Sequence, residues 1–254
     1  MAITIKSERE IELMAEAGKI LERVHNELEK ALHPGMSTKD IDTLGEKIIR
    51  SYGCIPSFLN YNGYPASICV SVNQEVVHGI PDKHRIIQEG DIVSLDAGVI
   101  YKGYHSDAAR THAVGEVSEE AKKLIQVTKE SFFEGIKFAK AGNHLFDISG
   151  AIGRYAEERG YGVVRDLCGH GIGTALHEAP EIPNYEVGRK GVRLRPGMTL
   201  AIEPMINIGT HEVDWLDDDW TVVTRDGSLS AHYENTILIT EGEPRILSLT
   251  CENE

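Results

Sequence analysis

Asp96 and Asp107 each fall inside a run that reads as a β-strand, in the stretch DIVSLDAGVIYKGYHSDAARTHAVG from Asp91 to Gly115. In DIVSLDAGV the residues Val93, Leu95, Ala97 and Val99 are apolar, so Asp96 points to the opposite face with Ser94 and Gly98. Lys102-Gly103 predicts a two-residue hairpin turn that pairs Gly98 with Asp107 and makes Asp96 the diagonal neighbour of Asp107. Glu203 in TLAIEPM and Glu234 in SAHYENTILIT offer a matching pair of acids further along. Four carboxylates about 5 Å apart would repel by roughly 3 kcal/mol per pair at an effective dielectric near 20, or roughly 20 kcal/mol together. Such a cluster must take up protons or cations. Two divalent ions would neutralise it, and one imidazole would complete an oxygen-rich dinuclear site. The alternative, acids that simply face water, suits any one of these residues better than it suits four in corresponding strands.

The imidazole is offered by CGHGIGTALHE, Cys168 to Glu178, where glycines surround His170 and His177 follows in the same loop. A backbone this free of side chains lets an imidazole approach a ligand closely. The stretch matches neither GxGxxG nor the Walker A pattern. There is no GxSxG and no cysteine in a recognisable nucleophile setting, which leaves covalent catalysis without support. His25, His33, His84, His105, His112, His144, His211 and His232 read as surface or packing residues, with His105 and His112 nearest the acids in sequence.

The elements that must position these groups occur twice. Ser7 and Glu10 form a capping box before an amphipathic run that stops at Pro34-Gly35, and a second helix, about Asp40 to Tyr52, ends at Gly53. The same order returns from Ser118 to about Lys140 and from about Asp147 to Gly160. Gly35, Asp40, Ile41 and Gly53 recur as Gly142, Asp147, Ile148 and Gly160, each 107 residues on. GDIVSLD, Gly90 to Asp96, aligns with GMTLAIE, Gly197 to Glu203, at the same offset and sets Asp96 opposite Glu203. The repeat predicts a pseudo-two-fold α+β fold with a site between halves of about 1–115 and 116–254, and with no low-complexity linker the chain reads as a single catalytic domain over 1–254. The acidic segment His211 to Trp220 reads as a connection between strands.

Composition excludes several classes of partner. Over 254 residues, 26 Lys and Arg stand against 40 Asp and Glu, a formal charge of −14, which disfavours nucleic acid and anionic membrane surfaces. Cys54, Cys69, Cys168 and Cys251 form no CxxC pair and read as reduced thiols. No apolar run approaches the length of a membrane span, so the expectation is a cytoplasmic protein.

Taken in order, HGIP, DAGVIYKGYHSD, GHGIGTALHE, IEPM and HYENTI resemble the type I methionine aminopeptidases, over about Ile5 to Leu249. The resemblance implies the pita-bread fold, a curved antiparallel sheet with helices on its outer face. It implies a pair of divalent ions, Co, Mn, Fe or Zn, with Asp96 on one, His170 and Glu203 on the other, and Asp107 and Glu234 bridging both. The ions would activate a bridging hydroxide that attacks the scissile carbonyl, and the free α-amine of the substrate would bind beside them. By the same resemblance Glu203 serves as general base, while His78 and His177 hold the substrate and stabilise the tetrahedral intermediate. Phe58, Tyr61, Tyr64, Cys69, Leu176 and Trp220 would form an apolar pocket for an unbranched thioether. Phe58 stands where many bacterial relatives have cysteine, and Leu176 where phenylalanine is common, a change of fit rather than of substrate class.

The activity so implied is removal of the initiator methionine from nascent chains and peptides with a small, uncharged second residue, by a monomer with possible ribosome proximity. By the same resemblance the chain is expected to be a type I enzyme without the large N-terminal domain of proline-directed relatives, the helical insertion of type II enzymes or a zinc-binding extension. Met1-Ala2 is itself a permitted start, so the mature chain is expected to lack Met1. Two rivals are a metal-free binding module and an enzyme for Xaa-Pro or dipeptide substrates. Metal content and hydrolysis of Met-Ala-Ser separate them.

Overall fold

The computed structural model describes residues 3–249. The expected loss of Met1 and the thiol of Cys251 concern residues outside the described ones.

Helix α1, Glu8–Ala31, begins where Glu10 Oε2 accepts the Ser7 N–H at 2.7 Å, satisfying an end of the helix that has no partner within it. Its stripe Met14, Ala17, Leu21, Val24 and Leu28 is buried against the strands Ile92–Tyr101 and Tyr104–Ala113. Each buried Met, Leu or Val of that stripe contributes about 1.5–3 kcal/mol. Helix α2, Thr38–Ser51, is capped by Ser37 and Asp40, and helix α3, Glu119–Ile136, by Ser118. Helix α3 stops four residues short of the expected end. Helix α4, Leu145–Glu157, starts ahead of Asp147 because that carboxylate reaches back to the His144 N–H at 2.8 Å, as Asp40 reaches the Ser37 N–H at 2.9 Å.

The duplication is visible in these same contacts. Gly35 N–H donates to Ile87 O at 2.8 Å and Gly142 N–H to Leu194 O at 3.0 Å, both partners being 107 residues apart. Gly35 has φ of 95° and Gly142 of 91°, a conformation in which a side chain is strained. The isolated bridges Ser37↔Ile86 and His144↔Arg193 repeat at that offset too.

All ladders among the described strands are antiparallel, but the hydrogen bonding divides the expected single sheet into four, of four, three, three and five strands. The halves meet where Glu234 N–H donates to Ala109 O at 3.0 Å and Asp107 N–H to Thr236 Oγ1 at 2.9 Å. The segment His211–Trp220 is more than a connection. It contains the strand Val213–Trp215, paired with Val222–Thr224, because buried Val213 packs with Val222 and Val77 beneath an acidic exterior. Each half has an apolar core, and a third cluster lies between them, containing Met14, Phe58, Tyr64, Cys69, Ile172 and Leu176. Among the described residues, no helix is long and apolar enough to cross a membrane.

Candidate metal centre

The hairpin that carries both aspartates has the expected register. Tyr101 pairs with Tyr104, Gly98 with Asp107, and Asp96 with Ala109. Lys102 (φ 49°) and Gly103 (φ 87°) both adopt the left-handed region, as the twist of a two-residue hairpin requires. On the other side Asp96 is opposite Cys69. A Cβ on Gly98 would lie 2.7 Å from Ser57 Cβ and 3.0 Å from the Phe58 ring, so glycine is what allows these residues to close over the strand. His170 stands in the strand Gly169–Gly171, and Glu203 directly follows the strand Thr199–Ile202, which pairs with it.

The five side chains converge on one cavity of about 160 Å³. Ligand atoms of Asp107, His170 and Glu234 all lie within 4.8 Å of one another. His170 Nε2 is 3.9 Å from Asp107 Oδ2 and 3.7 Å from Glu203 Oε1. Asp96 Oδ1, Asp107 Oδ1 and Glu234 Oε1 are buried without a hydrogen-bond partner, a costly arrangement unless a cation or proton meets them. Burial pushes the Asp96 carboxyl up to about 8. Burial also raises Asp107, Glu203 and Glu234 well above the ordinary carboxylate range, and repulsion from neighbouring acids of the set adds to each. His170 is pushed down to about 3 by burial, so its imidazole is neutral. With Nδ1–H donating to Gly171 O at 2.8 Å, the Nε2 lone pair faces the acids. Four hard oxygen donors and one imidazole fit divalent ions of the first transition row.

The remaining expected residues line the same cavity, and Asn62 joins them. Phe58, Tyr64, Cys69 and Leu176 form a buried apolar end. Trp220 closes it with its ring edge-on to Tyr64, centroids 5.1 Å apart. Asp218 Oδ1 accepts the Trp220 and Thr221 N–H groups, which fixes the turn holding that indole. His177 stands at the mouth, its ring 4.2 Å from that of His170 and its Nδ1 2.7 Å from the Tyr61 hydroxyl. Burial lowers the His177 pKa, and it lowers that of His78 to about 4 with help from His177. His78 has φ of 59°, a strained conformation held by Gly79, whose carbonyl accepts from Tyr64 and Val70.

The family-wide profile of metallopeptidase family M24 matches residues 12–241. The chain belongs to this family. Among M24 relatives, it is 58% identical to the methionine aminopeptidase of Clostridium acetobutylicum over 250 residues, 98% of this chain and 100% of the relative. The crystal structure of methionine aminopeptidase from Thermotoga maritima superposes with a TM-score of 0.96 at 47% identity, covering 98% of this chain and 100% of that one. Xaa-Pro dipeptidase from Bacillus anthracis gives 0.77 at 27% identity, and the match covers 97% of this chain but 62% of that longer one. Membership of M24 carries divalent metal binding with it, in agreement with the donor set above.

Within this M24 site, sequence reasoning set aside one residue that the fold brings in. His232 is buried, and its Nε2, which lacks a hydrogen-bond partner, lies 3.7 Å from Glu203 Oε2. Its spacing of two from Glu234 in HYEN, which in a strand sets both on one face, is the signal that could have found it. His105, another of those set aside, is buried with Nδ1 2.9 Å from Ser57 Oγ, and His25 is buried with Nε2 2.8 Å from Ala108 O.

Proposed function

We propose that this chain is a metallo-exopeptidase that removes the N-terminal methionine from nascent proteins and peptides, preferring a small uncharged second residue. One observation carries the reading: the four acids and His170 line the same small cavity as Phe58, Tyr64, Cys69, Leu176 and Trp220. Asp96, Asp107, His170, Glu203 and Glu234 would hold two divalent ions, of Co, Mn, Fe or Zn. When bound, such ions supply a polarised carbonyl and a water ionised near neutral pH.

The chain's own residues do the rest. Phe58, Tyr64, Cys69, Leu176 and Trp220 enclose an unbranched thioether and exclude water from the scissile bond. Glu203 takes the proton of the attacking water and returns it to the leaving amine. Tyr61, donating its hydroxyl proton to His177 Nδ1, leaves the Nε2–H of that ring free to stabilise the developing oxyanion, and His78 helps to hold the substrate. We also read the protein as a cytoplasmic monomer that meets chains as they leave the ribosome.

The test is hydrolysis of Met-Ala-Ser, beside an Ala-Pro peptide, by protein loaded separately with each metal. Methionine release that depends on metal, and that falls about 100-fold or more in Asp107→Ala, is the expected result. Release of residues ahead of proline, with methionine left in place, would overturn the reading in favour of the Xaa-Pro rival.

A further inference from the structure

The loop from Ile172 to Glu178 carries Leu176 and His177, and Glu178 closes it. Glu178 Oε1 accepts the Ala175 N–H at 3.3 Å, a tie that spans the turn containing His177. Its other oxygen, Oε2, is held at 2.6 Å by Lys6 Nζ and at 2.6 Å by Thr4 Oγ1, both from the segment ahead of α1. The Lys6 side chain is 5% exposed and that of Glu178 13%, so the pair is shielded from water. Lys6 Nζ also bonds Thr4 Oγ1, and the Lys6 N–H donates to Gly197 O at 2.8 Å, which fixes the segment to the second half. A Cβ on Gly173 would lie 2.4 Å from Glu178 Oε1 and 2.6 Å from Lys6 Cε, so the glycine makes room for the pair. A buried ion pair gains little net stability over an apolar pair of the same shape, and fixing a geometry is its better-attested use.

We propose that Lys6, acting through Glu178, positions the His177 loop against the metal centre. Lys6 and Glu178 are positioning residues, and the segment before the first helix belongs to the apparatus of the reaction. The inference rests on the aminopeptidase reading above, in which His177 acts on the transition state.

The experiment is a double-mutant cycle on the metal-loaded protein with Met-Ala-Ser as substrate. Lys6→Met should lower kcat about 10-fold with KM within about twofold, the signature of an interaction made only in the transition state. In a His177→Ala background the same change should alter kcat by less than about twofold, because the group it positions is gone. Equal losses in both backgrounds, or a lower Tm with kcat per folded molecule unchanged, would reduce the pair to a structural role and overturn the proposal. Should Lys6→Met fail to fold, Lys6→Met with Glu178→Gln supplies a neutral pair of similar shape for the same cycle. Should the wild-type holoenzyme release no methionine, the aminopeptidase reading fails by itself. The His177 ring proton shift then decides the loop geometry: Lys6→Met must move it, and an unmoved resonance sinks the proposal.

Discussion

Asp96→Asn in the metal-free protein should stabilise the fold at neutral pH while removing one of the proposed metal ligands. The Asp96 carboxyl is raised from 3.8 to about 8 by burial. An acid whose folded pKa is raised binds its proton more tightly in the folded state. Its contribution is therefore fully present below 3.8 and is lost as pH rises through about 8. Between 3.8 and pH 7 the loss for this one group is roughly 4 kcal/mol. Asparagine avoids it, but its amide must find a partner, at a cost of about 1–3 kcal/mol. The net gain at pH 7 is on the order of 2 kcal/mol, or about 6 °C in Tm for a chain of this size. Asp107, Glu203 and Glu234 are each repelled by Asp96, so its removal acts on them in the same direction. Urea titrations in chelator at pH 4.5 and pH 7 test the argument, since the cost of the amide cancels between them. The stability of the variant relative to wild type should rise by roughly 3 kcal/mol across that interval. A difference that stays flat, or that falls with pH, would refute burial of the Asp96 carboxyl as the cause of its raised pKa. With metal bound the order should reverse, because the wild-type acids are then matched.

Trp220→Ala opens the apolar end and should lower kcat/KM for Met-Ala-Ser by about 30-fold, on the order of 2 kcal/mol of lost burial, with metal content by calorimetry unchanged. Gly79→Ala would place a Cβ 2.3 Å from Val70 O, and should cost about 1–3 kcal/mol in urea unfolding as well as displacing His78. In the metal-free protein, ring protons of His78 and His105, both pushed down to about 4 chiefly by burial, should titrate by NMR near that value rather than near 6.5.

The hairpin of Asp96 and Asp107 was legible because a two-residue turn and strict alternation fix register from adjacent residues alone. The duplicated helices were legible for a like reason: Asp40 and Asp147 cap their helices through contacts only three residues long. What escaped depends on distant partners. Nothing near Val213 in sequence announces its pairing with Thr224 or its burial beside Val77, so the acidic segment read as a connection. The approach of His232 to Glu203 follows from the pairing of Met205 with His232 inside the second half, and the grip of Lys6 on Glu178 arises only when the halves have docked. The pocket wall was read through resemblance, since Phe58 and Leu176 look like ordinary core residues, and in the third cluster they are packed as such.

The two copies have become unequal heirs. The N-terminal one brings Asp96 and Asp107, while the C-terminal one brings His170, Glu203 and Glu234. Neither encloses the cavity alone, because Phe58, Tyr61 and His78 come from one and Leu176, His177 and Trp220 from the other. Chemistry here belongs to the seam, and separately expressed halves should recover it only on reassociating.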